Sequence, residues 1–320
     1  MNGIELATPS SESAPGFAAD LVAGLSRDRK ELPAKYFYDE RGSRLFELIC
    51  ELPEYYPTRT ELDIMEAHAG EMASLLGPRC LVVEYGSGSS LKTRVLLREL
   101  ERPAGYVPVD ISREPLQRAA AALRERFPRV PIRPVCADFT GEFPLPHEGL
   151  GPARRAVYFP GSTIGNLHPP EATALLRHIA AQVGRGGALL VGADLRKDPA
   201  VLEAAYNDRL GVTAAFNLNL LARANAELGA DFHLDRFRHQ AFFNPVRSRI
   251  EMHLVSGGEQ QVRALGRTFH FDDGESIHTE SSYKYGSGEL LELAARAGFR
   301  QARLWLDDDR LFSVQLLEVP

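Results

Sequence analysis

The sequence is short of the residues that mark several classes of protein. Its three cysteines, Cys50, Cys80 and Cys136, are too few and too widely spaced for a disulfide framework. None lies near histidines at a metal-ligand spacing, so we expect no metal at the active site. A run of about 18 apolar residues is missing, which argues against a transmembrane helix. Residues 1–15 lack a signal peptide's apolar segment, so we expect a cytoplasmic protein.

An excess of positive charge is missing as well. The net charge is -6 and the pI is about 5.9, which leaves no electrostatic footprint for nucleic acid. Hydrophobic residues make up 44% and charged residues 25%, as in ordinary globular proteins. We therefore expect an enzyme-sized monomer that binds neither nucleic acid nor membrane.

What the sequence does contain is a glycine turn between a predicted strand and a predicted helix. Residues 81–83 form a short, β-branched apolar run that predicts a buried strand. Gly86 and Gly88 then permit a sharp turn, and a helix follows from Lys92. Such a turn presents free backbone N–H groups to a ligand.

Three ligands compete for this turn. A dinucleotide fingerprint and a phosphate-binding loop each require a glycine where this chain has Leu91. The third candidate is S-adenosylmethionine, whose methyltransferases carry a Glu-x-Gly-x-Gly-like turn. Residues 84–88, which read Glu-Tyr-Gly-Ser-Gly, match that pattern without a substitution.

Strands and helices alternate after the turn. This alternation predicts a doubly wound parallel α/β sheet, whose ligands bind at the carboxyl ends of the strands. A helix and two strands at the end of the chain would complete the seven strands of a class I methyltransferase. The predicted strands are residues 81–83, 106–111, 132–139, 155–159, 188–191, 301–306 and 311–318.

Acidic residues at successive strand ends favour S-adenosylmethionine over NAD or ATP. Asp110 lies 24 residues after Gly86, which suits the ribose hydroxyls, although NAD enzymes share this feature. Asp138 and Phe139 together suit an adenine ring, the acid accepting from its amino group and the phenyl ring packing on its face. The predicted cofactor-binding residues are Glu84, Gly86, Gly88, Lys92, Asp110, Asp138 and Phe139.

The remaining segments predict a second, α+β domain for the substrate. It would combine the N-terminal segment with an insertion between strands five and six. In the insertion, residues 249–255 alternate like a strand, and residues 261–271 resemble its hairpin partner. Thr60 is a predicted cap of a helix over residues 62–76. We expect a loose tail (1–15), substrate-domain segments (16–60 and 197–285), a cofactor domain (61–196) and a closing helix with hairpin (286–320).

Seven motifs stand out in the chain: residues 35–39, 52–61, 161–167, 205–208, 211–217, 249–254 and 279–284. Together they resemble one family, the L-histidine Nα-methyltransferases, which form hercynine in ergothioneine biosynthesis. The resemblance runs from about Leu32 to the C-terminus and implies S-adenosylmethionine as cofactor and L-histidine as substrate.

The resemblance also implies roles for individual residues. Asn166 and Tyr206 would hold the α-amino and carboxylate groups, with Tyr38 and Tyr55 assisting, and we name Asn166, Tyr38 and Tyr55 as the candidate catalytic residues. Glu280 and Ser282 would hydrogen-bond the imidazole nitrogens, and Met252 would line the ring pocket. A carboxylate beside a hydroxyl, which can donate or accept, would satisfy either protonation state of imidazole.

Three alternatives stay open from the sequence. A methyltransferase of the same fold could act on tryptophan, the chain could be a catalytically dead binding protein, or it could be a nucleotide-dependent enzyme. The mild departures from the family pattern are Tyr85, Tyr283 and Tyr285, whose bulk could alter the pocket.

Overall fold

The computed structural model describes residues 13–88, 90–286 and 288–320. In this part of the chain no helix is both long and apolar enough to cross a membrane. The helices are α1 (Ser13–Leu25), α2 (Glu40–Glu51), α3 (Tyr56–Leu76), α4 (Leu91–Glu99), α5 (Arg113–Arg126), α6 (Pro169–Val183), α7 (Pro199–Tyr206), α8 (Val212–Leu228) and α9 (Glu289–Arg296). The strands are β1 (Cys80–Tyr85), β2 (Gly105–Asp110), β3 (Val135–Cys136), β4 (Arg154–Phe159), β5 (Ala188–Asp194), β6 (Phe237–Asn244), β7 (Arg249–Ser256), β8 (Gln260–Ala264), β9 (Arg267–Phe271), β10 (Ser276–Tyr283), β11 (Arg300–Leu306) and β12 (Phe312–Glu318).

A seven-stranded sheet organises the molecule. Its strand order is β11-β12-β5-β4-β1-β2-β3, with β12 antiparallel to both neighbours and the remaining pairs parallel. The predicted class I methyltransferase sheet is therefore confirmed, including its closing antiparallel pair.

Helices cover both faces of this sheet, which is why β1 is buried along its whole length. Val82 packs on one side in a core that includes Met65 of α3 and Leu96 of α4. Leu81 packs on the other side in a core that includes Ile179 of α6. The alternation of side chains along the strand divides them between the two cores.

A third hydrophobic core lies outside the seven-stranded sheet. It joins the N-terminal segment, represented by Phe17 and Phe37, to α8 and to a three-stranded sheet of order β10-β7-β6. Most of these elements belong to the insertion between β5 and β11. The domain boundaries that we drew through these segments stay a prediction.

Two predicted strand assignments were wrong. The third strand spans Val135–Cys136 instead of residues 132–139. Ile132 makes only an isolated bridge with Tyr106 of β2, because Pro134 has no N–H to continue the ladder from there to Val135. Residues 261–271 do not pair with β7; they turn back on themselves as the β8–β9 hairpin, while β6 and β10 flank β7.

Two predictions about helix starts also need correction. Helix α3 begins at Tyr56, so Thr60 lies inside it, where its hydroxyl donates to the Tyr56 carbonyl at 3.0 Å instead of capping the helix. The predicted loose tail falls mostly outside the described residues, and α1 already begins at Ser13.

Candidate active site

The glycine turn stands at the carboxyl end of β1. Gly86 and Gly88 have φ angles of 70° and 44°, which residues with a Cβ rarely adopt. The Gly88 N–H points towards Asp110 at the end of β2, at 3.4 Å from Oδ2. The turn and the second-strand acid are thus brought together as the sequence predicts.

Glu84 lies beneath the turn in the interior of the protein. Its Oε2 accepts hydrogen bonds from the hydroxyls of Thr93 and Tyr106, and burial raises the pKa of the carboxyl group to about 7. These bonds tie β1 to α4 and β2. Glu84 is therefore placed to hold the turn in position from below.

The acids of β2 and of the segment after β3 fit an adenosine group. Asp110 Oδ1 accepts from the Ser112 N–H at 2.9 Å, and Asp138 Oδ1 accepts from the Thr140 N–H at 2.9 Å. The Oδ2 atom of each acid has long contacts instead, 3.4 Å to Gly88 N and 3.8 Å to Lys35 Nζ, so each can accept a further bond. Burial raises the pKa of Asp110.

Phe139 presents an aromatic face at the same edge. Its ring stacks on Tyr85 with centroids 5.4 Å apart and an interplanar angle of 17°. A Cβ on Gly86 would lie 3.8 Å from the Phe139 ring, so the ring borders the turn. This fits the predicted place for a planar base.

Lys92 has a different environment from the other predicted cofactor residues. Its ammonium group pairs with the buried carboxylate of Glu61, which also accepts from the Gly161 N–H at 2.8 Å. Glu61 can lie against β5 because Gly192 lacks a Cβ, which would be 2.4 Å from Oε1. Lys92 and Glu61 therefore connect the cofactor turn with the loop after β4.

A cleft opens beside that loop. It gathers all seven residues predicted for substrate binding and catalysis from segments far apart in the chain: Tyr38, Tyr55, Asn166, Tyr206, Met252, Glu280 and Ser282. A wider groove lies between residues 25–30 and 267–275, but none of the predicted site residues lines it. The first cleft is the candidate substrate site.

Strand pairing presents three of these side chains on one face. Glu280 pairs with Met252, and Ser282 follows two residues later on the same face of β10. Gly165 lets the turn at Thr163–Asn166 pack on β10, since a Cβ there would lie 2.8 Å from the Tyr283 carbonyl oxygen. Asn166 is thereby placed at the same cleft.

Glu280 is the most exceptional group of the cleft. Within the described residues its carboxylate has no hydrogen-bond partner, although the residue is only 8% exposed. Burial raises its pKa to about 7, against the opposing effect of the Lys284 ammonium group. A carboxylate that opens only into an enclosed cleft, without a protein donor, is suited to a ligand that donates a hydrogen bond.

Ser282 is held by two donors. Its Oγ accepts from the Tyr206 hydroxyl at 2.8 Å and from Lys284 Nζ at 2.8 Å, and Lys284 also donates to the Tyr206 hydroxyl at 3.1 Å. In this arrangement the hydroxyl proton of Ser282 is free to be donated. Lys284 was not among the predicted site residues. Because it can only donate to Ser282 Oγ, it makes the Ser282 hydroxyl group an acceptor towards the protein and a donor towards the cleft.

Asp194 anchors Lys284 from below the cleft. Its Oδ2 lies 2.7 Å from Lys284 Nζ, and its carboxylate also accepts from the Tyr56 hydroxyl and from Lys197. Burial alone would raise the pKa of Asp194, but the two ammonium groups outweigh it and lower the pKa. Lys284 is therefore held as a cation in the interior.

Aromatic rings enclose the other side of the cleft. Phe46 and Phe216, which the sequence reasoning also missed, lie 5.6 and 5.7 Å from the ring of Tyr38. Burial raises the pKa of Tyr38 and Tyr55 well above its usual value, so both phenols stay neutral. They can orient a substrate through their hydroxyls but are poorly suited to remove a proton.

The three bulky departures from the family pattern make their contacts away from the lining of the cleft. Tyr85 donates to Gln182, Tyr283 contacts His168 and Arg249, and Tyr285 donates to the Ile164 carbonyl. None of them is among the described residues that line the cleft.

Known proteins match this chain along nearly its whole length. The model of the family described as histidine-specific methyltransferase, SAM-dependent, matches residues 17–319. The chain is 43% identical to the histidine N-alpha-methyltransferase of Mycolicibacterium smegmatis, covering 95% of both chains. It is 43% identical to the enzyme of that name from Mycobacterium tuberculosis, covering 93% of both. Ergothioneine biosynthesis protein 1 of Neurospora crassa is 31% identical over 86% of this chain and 32% of its own length.

Proposed function

Because the chain belongs to the family of histidine-specific, S-adenosylmethionine-dependent methyltransferases, we propose that it trimethylates the α-amino nitrogen of L-histidine to form hercynine. The names of its bacterial and fungal relatives support this reaction as a step of ergothioneine biosynthesis. The observation that carries the substrate is the unpartnered Glu280 beside a hydroxyl donor in an enclosed cleft.

Neutral imidazole has one N–H donor and one nitrogen that accepts. Glu280 would accept from the N–H, and the free proton of Ser282 would be donated to the other nitrogen. The sequence reasoning left Ser282 able to donate or accept; its contacts with Lys284 and Tyr206 favour donation. Met252 would pack against the ring. The cleft is thus matched to neutral histidine rather than to its doubly protonated form.

The amino-acid end of the substrate would lie at the edge of the seven-stranded sheet. Asn166 comes from the turn after β4 and makes no side-chain hydrogen bond within the described residues, so its amide is available to the substrate. Tyr38 and Tyr55 add neutral hydroxyls nearby. Tyr206, predicted together with Asn166 to hold the α-amino and carboxylate groups, donates to Ser282 and can donate to the substrate only by exchanging this bond.

The reaction needs alignment more than it needs chemical groups from the protein. S-Adenosylmethionine supplies an electrophilic methyl group on a sulfonium. The residues that would hold this cofactor are Gly86, Gly88, Asp110, Asp138 and Phe139, with Glu84 and Lys92 acting through the turn and the loop after β4. Asn166, Tyr38 and Tyr55 would orient the neutral amine, and alignment of this kind supplies roughly 7 kcal/mol or more of the barrier. Neutral contacts leave the amine room to gain bulk over three transfers.

The cysteines bear on where the enzyme works. Its three cysteines are free, which fits a reducing cytoplasm, and its action as a monomer without nucleic acid or membrane partners stays a prediction.

A panel assay tests the proposal. The protein is incubated with S-adenosylmethionine and each of the twenty amino acids, and products are detected by mass spectrometry. We expect methylation of histidine above all others. Methylation of tryptophan in preference to histidine would contradict the substrate assignment. Absence of any methylated product, in protein that binds S-adenosylhomocysteine by calorimetry, would favour a dead fold, and binding of NAD or ATP instead would contradict the cofactor.

A further inference from the structure

A second cluster of potential ligands lies on the opposite face of the sheet that lines the cleft. Glu251 and His253 flank Met252 on β7 and so point away from the cleft, towards His278 on β10. One ligand atom from each of the three residues lies within 4.8 Å of the other two. We propose that Glu251, His253 and His278 bind one zinc ion, at a site separate from the reaction.

The donor set has the chemistry that zinc prefers. Two imidazole nitrogens and one carboxylate oxygen give three of four tetrahedral positions, and water can take the fourth. The side chains of Glu251 and His253 are only 11% and 15% exposed, so few waters compete for their donor atoms. No cysteine is involved, which is why a search for cysteines near histidines in the sequence did not find this cluster.

Neighbouring groups hold two of the ligands in a coordinating orientation. Arg249 Nε and Asn244 Nδ2 donate to Glu251 Oε1 at 2.8 and 3.0 Å, and this leaves Oε2 facing His253 Nε2 at 3.3 Å. His253 Nδ1 lies 3.1 Å from Ser276 Oγ, and Phe242 stacks on the imidazole ring. Partners of this kind fix ligand orientation in established zinc sites.

The positive charge of the Arg249 guanidinium group opposes the binding of a zinc ion. It lies 2.7 Å from Glu251 and neutralises much of the charge that would attract a cation. The same three residues could instead form a hydrogen-bonded cluster in which His253 donates to Glu251. The two arrangements differ in a measurable property, since the cluster alone gives no stoichiometric uptake of metal.

The position of the site predicts what the ion would do. The backbone of His278 bonds to Lys30 and Leu32 of the N-terminal segment, at 2.9 Å each. An ion held by β7 and β10 would therefore brace the wall that carries Met252 and Glu280, together with the segment leading to Tyr38. We expect it to stabilise the fold without entering the methyl transfer.

Zinc binding is measured by calorimetry on chelator-treated protein without an affinity tag. We expect one zinc per chain and a higher melting temperature with the ion. His253→Gln and His278→Gln should each weaken binding by at least about tenfold. His270→Gln, which changes an exposed histidine of β9, should bind as the unchanged protein does.

Cobalt gives a second readout, because its visible absorption reports the coordination of the ion itself. Unchanged protein and His270→Gln should develop the visible absorption of cobalt in a site of low coordination number, and His253→Gln should not. Failure of the unchanged protein to take up one zinc would overturn the proposal. So would uptake that persists in both His253→Gln and His278→Gln.

Discussion

Replacing Glu280 by glutamine should have opposite effects on histidine turnover and on stability. The substitution keeps the size of the side chain but removes its charge. In the proposed complex, a charge-assisted hydrogen bond of about 1.5–3 kcal/mol becomes a neutral one of about 0.5–1.5 kcal/mol. We therefore expect kcat/KM for histidine to fall roughly tenfold.

The free protein should gain stability from the same change. The pKa of Glu280 is raised from a usual value of 4.5 to about 7, so the carboxyl group stabilises the fold below pH 4.5 and this contribution is lost as the pH rises through 7. The difference corresponds to roughly 3 kcal/mol at most. Glu280→Gln cannot titrate, so it should be more stable than the unchanged protein at pH 8 and lose less stability between pH 5 and pH 8.

Urea unfolding at pH 5 and pH 8 and steady-state kinetics with histidine measure the two effects. Glu259→Gln, on an exposed turn between β7 and β8, is the matched control and should change neither. A Glu280→Gln protein that methylates histidine as well as the unchanged protein, with the same stability at pH 8, would refute the reasoning.

Three further changes address other parts of the account. Glu280→Ala should cut histidine turnover by one to two orders of magnitude or more and raise relative activity on tryptophan, because the unpaired acid is gone and space is gained. A competition assay measures the ratio of the two products, and an unchanged ratio would count against the imidazole assignment. Asp110→Ala should weaken the binding of S-adenosylhomocysteine, measured by calorimetry, by about 1.5–3 kcal/mol. An unchanged affinity would remove Asp110 from the proposed cofactor site. Lys284→Met should destabilise the protein by less than the roughly 3–5 kcal/mol expected for an unpaired buried charge, because Asp194 loses one ammonium partner but keeps Lys197 and Tyr56. It should also raise KM for histidine, because Ser282 loses a donor that holds its hydroxyl group. An unaltered KM in folded protein would show that Lys284 does not position Ser282.

The parts of the fold that the sequence predicts well are those with a strong local period. Two patterns are sufficient to predict the parallel sheet: buried apolar runs such as β1, and the alternation of strands and helices up to Asp194. The insertion was harder, because β6 begins in a charged stretch and β8 and β9 are short strands that pair with each other. The pairing of strands in the insertion depends on their packing against α8 and the N-terminal segment. A local sequence pattern does not predict such long-range contacts.

Some residues of the candidate site could likewise be predicted from the sequence, and others could not. The cleft residues could be named in advance because the motifs that contain them resemble those of a known family, and the structure brings all seven together. Lys284 could not be assigned, since a lysine between two tyrosines looks exposed until Asp194 is found beneath it. Phe216 was within a quoted motif but had no polar group to attract notice. The zinc ligands come from two strands whose pairing was not predicted.

The product of the reaction with histidine tests the central claim most directly. The protein is incubated with L-histidine and excess S-adenosylmethionine, and the product is characterised by mass spectrometry and proton NMR. The account predicts a single end product with three methyl groups on the α-nitrogen and an unmodified imidazole ring. Methyl groups on a ring nitrogen, or no methylation of histidine by protein that binds the cofactor, would contradict it.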